Sequence, residues 1–422
     1  MTPSSTPIKL GKITLALLTC LAVLAGATAA QKGGAAPWTK RLKQPPAHAP
    51  QRPAPGGAPQ FGDPLAGLGA DDLAAFTGGR EEFEAVETVA GGLGPIFNDS
   101  SCVACHSAAG TGGASIQKVT RFGRSAGGVF SPLDHLGGSL LQARAIDPAV
   151  QEHIPAEANV VAQRLTTPLF GAGLIEAIPD AAIELNAQRT QPDGVRGRAL
   201  KVTDVASGQQ RIGRFGWKAQ QATLLSFAGD AYRNEMGVTN RLFPTENAPN
   251  GNQALLALYD KVPDIEDRVN PATGQSDIDH AAAFMRLLAP PPPVRATAAS
   301  LAGAKLFEQA RCTACHQPVL LTGPSPVQAL ANQPVRLYSD LLLHDMGALG
   351  DGIEQGGAKA REMRTAPLWG LRTRPAYLHD GRALSVGQAI LQHDGEAARS
   401  RDRFKALKPA EQLQLLAFLQ SI

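Results

Sequence analysis

Two short stretches, far apart in a 422-residue chain, share one device. "SSCVACHSAAG" carries Cys102, Cys105 and His106, and "EQARCTACHQPV" carries Cys312, Cys315 and His316. A Cys-x-x-Cys pair with a histidine directly after it is the attachment signature of c-type haem. Two thiols within one helical turn can reach the two vinyl groups on one porphyrin edge, and the adjacent imidazole is aimed at the iron. A chain with two such units must build two porphyrin-sized pockets, each with one of these turns in its wall.

Other uses of the same residues fit less well. Structural zinc would want the two cysteine pairs about 15–20 residues apart, or histidine pairs close by. A thioredoxin-like redox motif needs a single pair and no following histidine. Of five cysteines, Cys20 lies in the leader-like segment and the other four are all in the two units. None remains for a disulfide or a thiol nucleophile.

The first thirty residues read as a secretory signal. Lys9 and Lys12 precede "ITLALLTCLAVLAGA", which ends in the small residues Ala27–Ala30. The run is short for a membrane span, and the Thr before Cys20 suits lipoprotein cleavage poorly. Export to the periplasm is the expectation. Residues 31–62 are rich in Pro, Ala and Gly and read as extended or disordered. A formal net charge of +3, with no basic run, argues against a nucleic-acid partner.

"LLAPPPPVR" ends any helix that reaches it, so the chain divides into residues 63–289 and 294–422. Each half repeats Thr-x-Pro-Leu-aromatic-Gly downstream of its histidine, as "TTPLFGAGL" from Thr166 and "TAPLWGLRT" from Thr365. The expected fold is mainly α, with two cytochrome c-like haem domains. The first is enlarged, and "GGVFSPLDHLGGSLLQARAI" reads as a small β-hairpin insertion. In the second, the helix leading to Cys312 carries apolar Leu301, Leu306 and Phe307, and Gly303 lets another helix approach. The partner expected there is "PAEQLQLLAFLQSI", with Leu413, Leu416, Phe418 and Leu419 at helical spacing.

A haem that only moves electrons wants both axial positions filled, whereas one that reacts with peroxide needs an open face. In the second half, "SVGQAILQHDGEAA" offers His393 on one helix face with Val386 and Ile390, behind a Ser385 N-cap. Met346 and His344 compete with it. In the first half only His135 and His153 could cap the iron, and both lie in loop-like sequence. The first haem is therefore expected to be five-coordinate, or capped by a loop that moves. Glu235 in "AYRNEMGVTN" is a candidate for moving the proton that peroxide cleavage requires, or else a solvated helix-end carboxylate.

Taken together, "GLGPIFNDSSCVACH", "RFGWKA", "YSDLLLHDMG", "RTAPLWGL", "YLHDGRA" and "HDGEA" cover most of residues 91–422. They resemble the bacterial di-haem cytochrome c peroxidase superfamily, and within it the di-haem oxidoreductase branch also labelled thiol oxidoreductase. The resemblance implies that His106 is proximal to a peroxidatic haem and His316 to an electron-transfer haem. In the peroxidases a Met, fourteen residues after the His of a Tyr-Phe-His-Ser-Gly-like segment, completes the second haem. Here the equivalent His is His379, and fourteen residues on stands His393, which implies a bis-histidine haem of lower potential and favours His393 over Met346. Glu235 is similar to the peroxidases' catalytic glutamate, and Trp217 takes the place of a relay between haems or of a packed core side chain.

A calcium ion held between domains is implied too, although the proline order in "TRPAYLHDG" differs. The implied partners are hydrogen peroxide and a small electron donor of the cytochrome c or cupredoxin kind. The oligomeric state, a homodimer included, is left open. The rival readings are a MauG-type oxidase of a protein or small molecule, and a non-catalytic two-haem wire. Thiol oxidation has no spare cysteine to serve it.

Overall fold

The helices that frame the molecule begin and end where side chains dictate. The computed structural model describes residues 60–422; the expected leader and nearly all of the Pro/Ala-rich stretch lie outside the described residues. Helix α1 (Ala70–Glu84) packs on α2 (Asp277–Leu287), which starts at a capping box made by Ser276 and Asp279. Phe76 and Phe83 of α1 lie 5.3 and 4.8 Å, ring centre to ring centre, from Phe284 of α2. Helix α2 stops where the proline run begins, since proline can neither donate the next hydrogen bond nor clear the preceding turn.

Helix α3 (Ala298–Gln309) starts at Thr297, whose side chain caps Ser300 N, and packs on the C-terminal helix α4 (Pro409–Ser421). Their closest approach is at Gly303, where an added Cβ would sit 1.9 Å from the carbonyl oxygen of Gln414. The residues of α4 that face it are Leu415, Phe418 and Leu419, an i, i+3, i+4 stripe. Leu413 is 68% exposed and Leu301 48% exposed, so these two of the expected apolar contacts point to solvent. Leu413 is two residues from Leu415, roughly 200° around the helix, which turns it away from the seam.

The β insertion is larger than one hairpin. Strand β1 (Lys118–Ala126) turns through Gly127 and Gly128 into β2 (Val129–Ser131), and β3 (Leu140–Leu141) pairs further along the same edge of β1. On the other edge β4 (Val160–Leu165) pairs with Lys118–Gly123, all antiparallel. The expected segment thus supplies one arm and part of the sheet. The other arm lies upstream in "KVTRFGRSA", a polar strand that buries only Phe122 and Gly123. The rest is mainly helical with short strands.

The two Thr-x-Pro-Leu-aromatic-Gly repeats meet. Gly171 and Gly370 both adopt left-handed φ (71° and 69°) at the start of a short helical turn. A Cβ on Gly171 would lie 2.8 Å from the Trp369 ring, and one on Gly370 2.8 Å from Pro291. Only glycine supplies both the positive φ and the room. The proline run is therefore clamped between the repeats rather than free, with Leu288 and Ala289 buried and the Leu288 carbonyl accepting from Gly171 N. The larger apolar core also takes Leu320, Leu330, Val335, Leu337, Leu341, Leu342 and Trp369 from beyond this run. No helix among the described residues is long and apolar enough to cross a membrane.

Candidate active site and its two cavities

Both Cys-x-x-Cys-His units fold as a single turn. In each, the histidine N–H donates 2.9 Å to the carbonyl of the first cysteine, His106 to Cys102 and His316 to Cys312. Ser101 caps the first turn through Ala104 N. Burial pushes the Cys102 thiol up to about 12, Cys105 to about 11 and Cys312 to about 12. Such thiols stay protonated, the opposite of what a redox-active Cys-x-x-Cys requires. His106 Nδ1 faces the Gly113 carbonyl at 3.2 Å and His316 Nδ1 faces the Tyr338 carbonyl at 2.9 Å. The His316 ring therefore uses its Nδ1–H on the main chain and keeps Nε2 free, as a metal-binding imidazole does, while His106 is held by a second main-chain partner as well, Thr167. Burial holds both rings neutral, with pKa values lowered to about 4.

The second cavity is walled by Cys312, Cys315, His316, Met346, Leu368 and His393, among others. His393 Nδ1 faces the Ala389 carbonyl at 2.8 Å, so its Nε2 is free as well. The rings of His316 and His393 stand 6.4 Å apart, centre to centre. Two imidazoles sharing one metal at about 2.0 Å per bond, with roughly 1.2 Å from nitrogen to ring centre, would stand about 6.4 Å apart. The spacing fits one metal ion between them. Met346 also lines the cavity. His344 does too, but both its ring nitrogens are engaged, Nε2 by Asp340 at 3.0 Å and Nδ1 by Glu396 at 2.8 Å. Burial alone would lower its pKa; Cys315 and Asp340 raise it well above the usual value. It is a charged structural group, not a free ligand.

Two arginines in this cavity, Arg364 of "RTAPLWGL" and Arg374 of "TRPAYLHDG", are given no role by the sequence. Arg364 and Arg374 make no ion pair; they donate to the carbonyls of Gly216 and Pro367 at 2.8 and 2.7 Å. Burial pushes both guanidinium groups down to about 10, and Arg374 Nε lacks a partner. Two buried cations side by side suit the carboxylates of a porphyrin edge.

The first cavity holds Cys102, Cys105, His106, Leu169, Trp217 and Glu235 in its wall. His106 is its one imidazole; His135 and His153 are exposed and line neither cavity. Its two thioethers, Met236 and Met285, are packed in the apolar core. Helix Leu224–Ala231, capped by Thr223, runs into a single π-turn, Tyr232–Met236, that carries Glu235. Such turns are rare and favour functional sites. The Glu235 carbonyl accepts Asn98 N at 2.7 Å and Asp99 N at 3.2 Å, tying it to the segment before Cys102. Its side chain accepts from Asn98 Nδ2 at 2.7 Å. Burial raises the Glu235 pKa, against the pull of Asn98 and Arg121. Asp230, raised by burial, and Arg121, lowered by burial to about 10, line the same wall.

Trp217 lines both cavities and is the shared wall between them. Its Nε1–H donates to the Leu165 carbonyl at 2.9 Å, and its ring meets that of His379 edge-on at 6.3 Å. The two sit in matching turns, closed by the bridges Phe215–Gln221 and Tyr377–Ala383. A Thr223 or Ser385 cap follows, then a helix, leading to Glu235 in one half and His393 in the other. The same local device thus delivers a carboxylate to one cavity and an imidazole to its twin. Beside Trp217, Lys218 and Asp351 form a fully buried pair at 2.9 Å, and Arg164 Nε donates to Asp351 at 2.8 Å. Lys218 Nζ also donates to the carbonyls of Lys359, Ala360 and Glu362, fastening one half to the other.

The model of the family described as "Di-haem oxidoreductase, putative peroxidase" matches residues 147–422, well over half the chain. No curated protein matches. Solved structures with some likeness include hydrazine synthase from Kuenenia stuttgartiensis, at 15% identity and TM-score 0.41, covering 90% of this chain and 98% of that one. A MauG-like protein associated with microbial copper homeostasis follows at 16% and 0.39, covering 88% and 95%. The diheme peroxidase BthA from Burkholderia thailandensis stands at 12% and 0.38, covering 86% and 90%. These likenesses are loose, every TM-score lying below 0.5.

Proposed function

This chain belongs to the di-haem oxidoreductase family, and from that premise we propose a periplasmic c-type enzyme that reduces hydrogen peroxide at the first cavity. Two haems, attached through Cys102 and Cys105 and through Cys312 and Cys315, would supply the iron redox chemistry. His106 would hold the iron of the first, and His316 with His393 the iron of the second. Arg364 and Arg374 would meet porphyrin carboxylates in the second cavity. The donor would deliver electrons on the His316 side, with Trp217 as the side chain common to both cavities.

The observation that carries this reading is the difference between the cavities. One brings a second imidazole within 6.4 Å of its Cys-x-x-Cys-His ring; the other has Glu235, Asp230 and Arg121 in its wall and no second histidine. Reducing peroxide to two waters takes two electrons and two protons, and the inner oxygen's proton must be moved to the outer one. Glu235, with its pKa raised and its carboxylate held by Asn98, is placed to take and return that proton. Arg121 supplies a fixed positive charge beside it. The hydrophobic remainder of the wall (Leu169, Phe227, Met285) excludes bulk water.

The test is the EPR spectrum of the ferric protein as isolated. One high-spin and one low-spin signal are expected; two low-spin signals would overturn the peroxidase reading in favour of an electron wire. Oxidation of a protein or small molecule is the second reading, favoured by His393 standing where the peroxidases have Met, since a bis-histidine iron has a lower potential. It predicts that peroxide is consumed without oxidation of a reduced cytochrome donor.

A further inference from the structure

Away from both cavities, three carboxylates converge where no cation answers them. Glu246, Asp264 and Glu266 each offer a ligand atom within 4.8 Å of the other two. Glu246 is 5% exposed; one of its oxygens accepts from Asn247 N at 2.7 Å, while the other, Oε2, is buried with no hydrogen-bond partner. A buried carboxylate oxygen without a donor is costly, on the order of several kcal/mol when charged, and a bound ion is the usual remedy. The charges bearing on Glu246 are all of its own sign, from Glu266, Asp260 and Asp264, and they join burial in pushing its pKa up to about 8. Lys261 bears on Asp260. Glu266 is fixed by Thr239 N at 2.8 Å and by the Thr239 hydroxyl, while Asp264 is exposed at the rim.

We propose that Glu246, Asp264 and Glu266 form a binding site for a divalent cation of the calcium class. The donors are all hard oxygens, which select calcium or magnesium over zinc or copper. Two ligands on opposite sides of a calcium ion stand about 4.6–5.2 Å apart, so a set confined within 4.8 Å suits one shell. Magnesium wants near-octahedral geometry at about 2.1 Å and gives up its waters reluctantly, which three carboxylates suit less well than they suit calcium. The buried oxygen of Glu246 forms the floor, and the exposed Asp264 leaves an entry. The ion would pin the segment that follows the Glu235 turn to the stretch 260–267, where Asn240 already bridges to Asp267. This site lies wholly within residues 239–267 and uses side-chain carboxylates, unlike the interdomain calcium implied by the resemblance.

The experiment uses full-length haem-loaded protein freed of metal with chelator, then titrated with calcium chloride and, separately, magnesium chloride. Expected are one calcium per chain by elemental analysis, a rise in thermal midpoint with calcium, and at least tenfold weaker binding of magnesium. In Glu246→Gln the calcium-dependent rise should vanish while the metal-free midpoint stays at or above that of the metal-free parent, because like-charge repulsion has been relieved. Asp264→Asn, at the exposed rim, should weaken calcium at least tenfold and keeps the test available if the buried variant does not fold. No calcium bound by the parent protein overturns the proposal. So does a calcium response unchanged in the variants, which would put the ion elsewhere.

Discussion

Replacing Glu235 by Gln isolates proton transfer from architecture, because the residue serves the two through different atoms. Its main-chain carbonyl holds Asn98 and Asp99 N–H groups, and those bonds survive any side-chain change. Its side chain accepts from Asn98 Nδ2, a bond the glutamine oxygen can keep. What is lost is the capacity to take up and release a proton. A positioned acid–base group contributes about 100- to 10,000-fold, or roughly 3–5 kcal/mol of barrier at about 1.4 kcal/mol per decade. Folding raises the Glu235 pKa through burial, so the ionised carboxylate is a liability at neutral pH, and the amide should leave the thermal midpoint unchanged or higher. The assay is stopped-flow decay of hydrogen peroxide with a reduced cytochrome donor, alongside a melting curve. Decay within threefold of the parent rate, in a variant with an unaltered melt, would refute the role assigned to Glu235.

His393→Ala should turn the low-spin signal of the second haem high-spin, while Met346→Leu should leave it unchanged; the reverse pattern would make Met346 the ligand. Arg364→Gln removes a buried cation that favours the reduced iron, so the midpoint potential of the haem held by His316 should fall in a redox titration. Lys218→Met strips the fully buried Asp351 of one of its two cations and removes the Nζ–H bonds to the Lys359, Ala360 and Glu362 carbonyls, and should cost about 3–5 kcal/mol in urea unfolding. Glu87, Asp277 and Glu246 have folded pKa values raised by burial to about 7, 6 and 8. Below about pH 6.5 the buried His106, His316 and His379, with pKa values lowered to about 4, oppose these shifts, so it is between roughly pH 6.5 and 8 that the folded protein holds more protons than the unfolded chain. In chelator the urea midpoint should fall as pH rises across that window, and a flat profile would contradict these shifts.

The two Cys-x-x-Cys-His motifs were legible in the sequence because their geometry is local. Cys102, Cys105 and His106 fall on one turn whatever surrounds them, and so do Cys312, Cys315 and His316. The helix meeting at Gly303 was equally readable, since a glycine in an apolar helical stripe marks a close approach. Which face of α4 met it was less so. "LQLLAFL" offers apolar residues all round, and only the fitted partner decides that Leu415 is buried and Leu413 is not. The β insertion was half missed for the related reason that β1 carries Arg, Lys and Thr on faces the sheet leaves open.

Sequence order by itself determined which groups can bind iron and that there are two sets of them, for the spacing of neighbours along a chain is fixed by covalent geometry. Only the tertiary structure decided which distant groups share a cavity. It brought His393 to His316 across 77 residues and engaged both nitrogens of the rival His344 with carboxylates. It also set Trp217 as a common wall and brought Arg364 and Arg374, from separate segments, to one cavity. Such meetings depend on how helices and loops pack, and packing is a property of the whole fold that no window of neighbouring residues contains.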